Sequence, residues 1–375
     1  MQNIFIYRSY IPILAISPAE MTAVAQLPDK EKDQLLPLFP LRGWVGSHRL
    51  RNTLARISEA INERPWIADI DEKFLSENKI FLFTGKHPET PIYQELKDLL
   101  NPNNAYENWC EFIKKNENTI PCIRHETLEG IDEQIRKLRD LNRGIVFRIS
   151  PDEHNLSKHE HIIHSLRSNE IKNILIIYDL GAIDQNFRER QSILEKFMQL
   201  AKENIKEIAI SVSASSFPSG FAGQREGENS IYERILFNSI ESKKIYSPLI
   251  YSDRGSARAS KQDGGSGTPP PRIDYPMKKD WKFVRREIDD DAPGSKERRR
   301  AAYIEIAKEV VSADYWLPNL RLWGTQQIEL TAEENTFGIF SAQKATAARI
   351  NIHIFVQLHY NSVPEEIDTD EEWVD

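Results

Sequence analysis

Three aspartates, Asp69, Asp179 and Asp253, and two arginines, Arg148 and Arg254, stand at the ends of short apolar runs rich in β-branched residues. Carboxylates so placed can hold Mg²⁺ or Mn²⁺ or transfer protons. Guanidinium groups grip phosphate or carboxylate through paired N–H donors. The three aspartates are therefore the candidate catalytic or metal-binding residues. Arg148 and Arg254 are candidate ligand contacts, joined by Glu20 just past the first run and by His353 near the end of the chain. Gly181 follows Asp179 and Gly255 follows Asp253, where each permits a tight turn. Ser17, Arg42, Asp71, Arg124, His125 and Ser213 occupy equivalent positions. Residues two apart on a strand share a face, which groups Asp69 with Asp71 and Arg124 with Glu126. A plain structural reading competes, because strand ends meet solvent and Arg–Asp pairs can simply neutralise each other.

Other chemistry is poorly represented. His154, His159, His161 and His164 match neither HExxH nor a zinc-finger spacing, and read as a solvated helix face. Ser211, Ser213, Ser215 and Ser216 lie in SVSASSFPSG, which lacks a nucleophile elbow. Neither GxGxxG nor GxxxxGK[ST] occurs, so no standard dinucleotide or P-loop site is expected. The ERRR stretch at 297–300 reads as a solvated helix face.

The elements that must position these residues form a recurring unit. Eight apolar runs stand at residues 12–17, 35–40, 65–71, 119–125, 144–150, 173–179, 207–213 and 247–253. Runs of this kind suit strands buried on both faces. Amphipathic patterns at 50–62, 128–141, 187–205 and 231–240 alternate with them. Alternating strands and helices imply parallel βαβ units. Eight such units predict a (β/α)8 TIM-barrel-like domain over residues 1–254, with an open doubly wound sheet as the alternative. Active sites of such barrels lie at the C-terminal ends of the strands, which is where the candidate residues fall.

The long gap between the third and fourth runs holds helical patterns at 92–100 and 106–115. It also holds KIFLF at 79–83, which reads as an extra strand. Residues 255–271 are rich in Gly, Ser and Pro and read as a linker. A C-terminal α+β region is expected over 272–364, with strands at 281–288 and 349–358 and a helix at 297–311. An acidic tail spans 365–375.

Composition removes several function classes. Lys and Arg number 49 against 57 Asp and Glu, a net charge of −8, so non-specific duplex binding is not expected. Two cysteines, Cys110 and Cys122, exclude a disulfide scaffold, and Cys122 reads as a core residue. No run of about 18 apolar residues is present to span a membrane. The apolar start, residues 1–17, reads as a buried first strand rather than a leader, and a cytoplasmic location is expected.

The order of several residues resembles the beta-family proteins of phages and bacterial defence regions. The resemblance rests on Tyr10-x-Pro12-x-Leu14 with Glu20, Leu36-Pro37-Leu38-Phe39, Arg148, Asp179-Leu180-Gly181 and Phe217-Pro218. It continues through Asp253-x-Gly255, Arg272-Ile273-x-Tyr275 with Trp281, and Arg349-x-Asn351-x-His353. The chain departs from the family pattern at Ser17, Ala19 and Pro40, where the family carries Lys, Gly and Glu. The resemblance implies a barrel-like α/β protein in phage–host conflict and no particular reaction. Two functions follow. The first is a defence component that recognises a phage protein or a protein encoded nearby, or restrains an effector. The second is a barrel enzyme or sensor that binds a nucleotide-like anion through its arginines and aspartates.

Overall fold

The computed structural model describes residues 3–246, 248–259, 268–289 and 293–362. It is a mixed α/β protein with parallel sheets flanked by helices. The strands are β1 (Tyr10–Pro12), β2 (Leu38–Leu41), β3 (Trp66–Ile70), β4 (Thr119–Pro121), β5 (Ile145–Ile149) and β6 (Ile174–Ala182). They continue with β7 (Ile208–Ser215), β8 (Glu226–Ser230), β9 (Leu249–Asp253), β10 (Arg272–Pro276) and β11 (Asp280–Arg285). Each of the eight apolar runs coincides with a parallel strand, although β1 overlaps its run only at Pro12.

Strand pairing produces two open parallel sheets where the sequence pattern predicts one closed ring. Five strands pair in the order β1-β9-β7-β6-β5, and three in the order β2-β3-β4. Only isolated parallel bridges cross the seams. Tyr10 and Ile13 bridge to Leu35 and Leu38 at one seam, and Cys122 bridges to Val146 at the other. One apolar cluster contains Ile11, Leu38, Ile67, Ile120, Val146, Leu175, Ala209 and Ile250, so every parallel strand contributes to it. A second cluster packs the opposite faces of β5, β6 and β7 against helices.

Two expected strands are helices. KIFLF lies in the helix Lys79–Thr84. Asn78 caps it by accepting from the N–H groups of Ile80 and Phe81, and Gly85, at φ +71°, ends it. Residues 349–358 belong to the helix Ala342–Leu358. Ser341 caps that helix by accepting from Lys344 N at 3.2 Å, and the Ala-rich first half favours helix. Its second half is buried all round, and its isoleucines alternate with Asn351 and His353, which is why it imitates a strand in sequence. A small antiparallel sheet, β10-β11-β8, stands beside it. The expected strand at 281–288 corresponds to β11, whereas the polar β8 has no apolar pattern to reveal it. Residues 260–267, inside the expected linker, and the acidic tail lie outside the described residues. The helix Ala342–Leu358 closes over the N-terminal part of the chain. Asn351 Nδ2 donates to Ala23 O at 2.9 Å, and Ile350, Ile352 and Ile354 share a core cluster with Tyr10 and Leu14. Among the described residues no helix is long and apolar enough to cross a membrane.

Candidate ligand site at the strand ends

The faces of β3, β5, β6 and β9 that build the shared apolar cluster turn polar two residues further along each strand. Ile67 leads to Asp69, Val146 to Arg148, Ile177 to Asp179, and Ile250 to Ser252 and then Arg254. Period-two alternation places these polar side chains on one face, above the apolar floor. Arg124 follows Cys122 just beyond β4 in the same way. The five charged residues form one chain of ion pairs. Arg124 Nη1 donates to Asp69 Oδ1 at 2.5 Å, and Arg148 Nη1 donates to Asp69 Oδ2 at 2.7 Å. Arg148 also donates through Nε and Nη2 to Asp179 Oδ2, at 3.0 and 2.6 Å. Arg254 Nη2 reaches the same oxygen at 2.6 Å. The other oxygen of Asp179 accepts from Gly181 N at 3.0 Å, and Gly181 sits at φ +66°, which glycine adopts without strain.

Burial acts to raise both aspartates, but the arginines outweigh it. Arg254 and Arg148 hold Asp179 well below the usual carboxylate range, and Arg124 and Arg148 lower Asp69. Both aspartates are therefore anionic acceptors rather than general acids. Arg124 is 3% exposed, and its Nη2 also holds Glu72 at 2.6 Å and Glu126. Arg42 pairs with Asp71 at 3.2 Å, and Asp71 caps the helix Glu72–Ser76.

Several donors on this face are unspent. Among the described residues the Arg254 side chain makes one hydrogen bond, and its buried Nε has no partner. The buried hydroxyls of Ser211, Ser213 and Ser252, on β7 and β9, are likewise without partners. Ser213 lies in register with Asp179 on one side and with Ser252 on the other. In sequence Ser213 counts among the strand-end residues, Ser211 reads only as a weak nucleophile candidate, and Ser252 is not singled out. Their interior position shows in the pattern of alternate small polar residues at the end of an otherwise apolar strand.

Asp253 and His353 lie elsewhere. Asp253 is one residue before Arg254, so its side chain leaves the opposite face of β9. It is wholly buried, and His353 Nε2 lies 2.7 Å from its Oδ2. Tyr251 Oη donates to the same oxygen at 2.8 Å. Gly255 N donates to Oδ1 at 2.7 Å, and Tyr10 Oη also donates to it. Trp281 Nε1 donates to His353 Nδ1 at 3.4 Å, which leaves the imidazole proton on Nε2, facing Asp253. This group joins β1, β9, β11 and the helix Ala342–Leu358. His353 therefore does not close over Asp179 but anchors the C-terminal layer from behind. Glu20 is buried at the start of the helix Pro18–Ala25, where it accepts from Ser17 Oγ. Burial raises its pKa against the pull of Ser17, Arg349 and Arg42.

The acidic candidates therefore do not make one metal centre. Asp69 and Asp179 are engaged by arginines, and Asp253 belongs to a separate group. Among the described residues no cluster of three or more His, Cys, Asp or Glu side chains could hold a metal ion. The histidine-rich segment splits as well. His161 and His164 are exposed, but His159 is buried against Tyr178 Oη at 3.0 Å, and burial lowers its pKa to about 4. A cavity of about 240 Å³ lies at the other end of the strands, lined by Phe5, Arg8, Leu36 and Arg143, and contains none of the candidate residues.

Comparison with known proteins agrees with the sequence pattern. The chain is 28% identical over 373 residues to "Protein beta" of Enterobacteria phage P4, covering 97% of each chain. No solved structure matches. Residues 10–359 match the Beta protein family, a span that includes both charged groups described above, and the chain belongs to that family.

Proposed function

We propose that this beta-family protein binds a small anionic ligand, nucleotide-like in charge, at the C-terminal ends of its parallel strands. In this reading the eight strands act as one barrel, supported by the seam bridges and by an apolar floor drawn from all eight. One observation carries the proposal. Asp179 Oδ2 takes three N–H donors from Arg148 and Arg254, while Arg254 keeps a buried donor unspent beside the unpartnered serine hydroxyls. Arg124 is neutralised further by Glu126 and Glu72, so the unmet demand for an anion lies at the other end of the chain, where Arg254 shares Asp179 with Arg148. A ligand phosphate or carboxylate would be held through Arg254 and the serines, with Asp179 fixing the guanidinium.

Thermal unfolding against a nucleotide panel, with and without Mg²⁺ and Mn²⁺, tests this. A ligand at 100 times its Kd should stabilise the wild type by roughly 2.7 kcal/mol. Arg254→Gln should remove most of that increment, because its loss deletes a charge-assisted bond worth about 1.5–3 kcal/mol. An increment that is the same in both proteins would refute the site.

A second reading, recognition of a phage protein or a protein encoded nearby in phage–host conflict, is supported by the helix Lys79–Thr84. It follows β3 on the strand-end side, and Ile80, Leu82 and Phe83 are 52%, 68% and 92% exposed. Three large apolar side chains displayed on one short helix are the kind of patch that interfaces cover. Co-expression with the adjacent gene product should give one peak on size exclusion. Leu82→Asp with Phe83→Asp should split it without lowering the unfolding midpoint. Co-elution unchanged by the double substitution would place the interface elsewhere.

A further inference from the structure

Between the helix Ala342–Leu358 and β10 lies a second concentration of positive charge, separate from Asp179. Arg349, 5% exposed, donates through Nη1 to Asp274 Oδ2 at 2.8 Å. Arg272 Nε stands 2.8 Å from the other oxygen of the same carboxylate. Phe217 and Phe221 cover the planes of these guanidinium groups. Arg349 lies 4.1 Å over Phe217, and Arg272 lies 3.7 Å over Phe221. With their faces covered, both groups can act only through their N–H edges.

Those edges are poorly used. The Arg349 side chain makes one hydrogen bond among the described residues, and its buried Nε has no partner. Burial disfavours the charged form of Arg349 more than Asp274 restores it, and Arg272 adds like-charge repulsion. Burial and Arg272 also disfavour the charge on Arg258, which closes the group from the loop after β9. An arginine cannot escape this by losing its proton, so the cost persists until another anion arrives. A buried Met or Leu would pack against Phe217 without that cost, and a second carboxylate would offset it. Glu20 adds the pull of a second carboxylate on Arg349, but burial raises its own pKa, so it offsets only part of that cost.

We propose that Arg272 and Arg349 form a second oxyanion site, one that takes the terminal phosphate of a phosphorylated small molecule, with Asp274 orienting the two guanidinium groups. Paired guanidinium edges match the several oxygens of a phosphate better than the two of a carboxylate. The site does not depend on the strand-end reading, since it shares neither Arg148 nor Arg254 with it.

The test uses the full chain and inorganic phosphate, with chloride at matched ionic strength as the reference. Phosphate should raise the unfolding midpoint in a saturable way that chloride does not reproduce. Arg272→Gln, at a partly exposed position, should weaken the apparent phosphate affinity at least tenfold. Arg349→Lys, which keeps the charge but not the fork, should weaken it as well. The loss caused by Arg272→Gln should be the same in an Arg254→Gln background. A phosphate effect that is equal in wild type and Arg272→Gln overturns the proposal, as does no phosphate effect beyond that of chloride. A phosphate effect abolished by Arg254→Gln and retained in Arg272→Gln overturns it while supporting the strand-end site.

Discussion

Replacing Asp253 by Ala should destabilise the protein by about 3–5 kcal/mol, because it leaves several buried donors unsatisfied at about 1–3 kcal/mol each. The carboxylate receives the hydroxyls of Tyr10 and Tyr251, the N–H of Gly255 and the imidazole of His353, and none of these donors has water to turn to. Asp253→Asn keeps the shape but offers one acceptor oxygen in place of two, and its amide N–H groups oppose the His353 donor, so it should recover only part of the loss. The pH dependence has a definite sign. Burial acts to raise Asp253, but His353, Tyr10 and the Gly255 N–H outweigh it and lower the pKa. Its contribution is thus present above the unfolded value of about 3.9 and is lost as pH falls through the folded value. Urea midpoints at pH 7 check the prediction. A change below about 1 kcal/mol in Asp253→Ala would mean that the group does not hold the C-terminal layer in place.

Glu233→Gln should act in the opposite direction. Glu233 opens the helix Tyr232–Glu241 and is 2% exposed. Its Oε2 accepts from Ser216 N at 3.0 Å and from Ser216 Oγ, while Oε1 is buried without a partner. Burial, with Asp253 adding like charge, pushes its pKa up to about 8. The folded state therefore binds a proton that the unfolded chain releases near pH 4.3. Stability from this group is complete below that value and declines until pH passes 8. At about 1.4 kcal/mol for each pH unit, the loss amounts to several kcal/mol by pH 8. Gln can keep an acceptor for Ser216 and carries no charge to bury. The variant should match the wild type at pH 5 and exceed it by a few kcal/mol at pH 8. Parallel stability curves over that range would show that Glu233 is not held protonated.

The parallel strands were legible because burial on both faces writes itself as unbroken apolar runs, as in NILIIYD. The ion-pair chain was legible in part, since strand ends pointed to Asp69, Arg148, Asp179 and Arg254. Direction was not. Asp253 and Arg254 are neighbours in sequence and leave opposite faces of β9, and only the register of the sheet tells which side faces the floor. The helix Ala342–Leu358 misled for a different reason. RINIHI alternates polar and apolar residues with a strand's period of two, because a helix enclosed on every side has no outward face to impose a period of 3.6. KIFLF misled because its exposure is opposite to what its residue types suggest. The oxyanion group at Arg349 is a contact between residues 75 or more apart in sequence, and no local spacing reveals it.

The bond between Asp253 and His353 spans 100 residues of chain. At about 5–20 residues per second, a ribosome needs roughly 5–20 s to make the second partner after the first. Over that interval the strands can pair, but Asp253, Tyr10 and Tyr251 have nothing to close over them, and the apolar surface awaiting the last helix stays open. A nascent chain therefore presents an aggregation-prone surface until its final segment emerges. A premature stop shortly before residue 342 would yield a product that cells degrade rather than a smaller working protein.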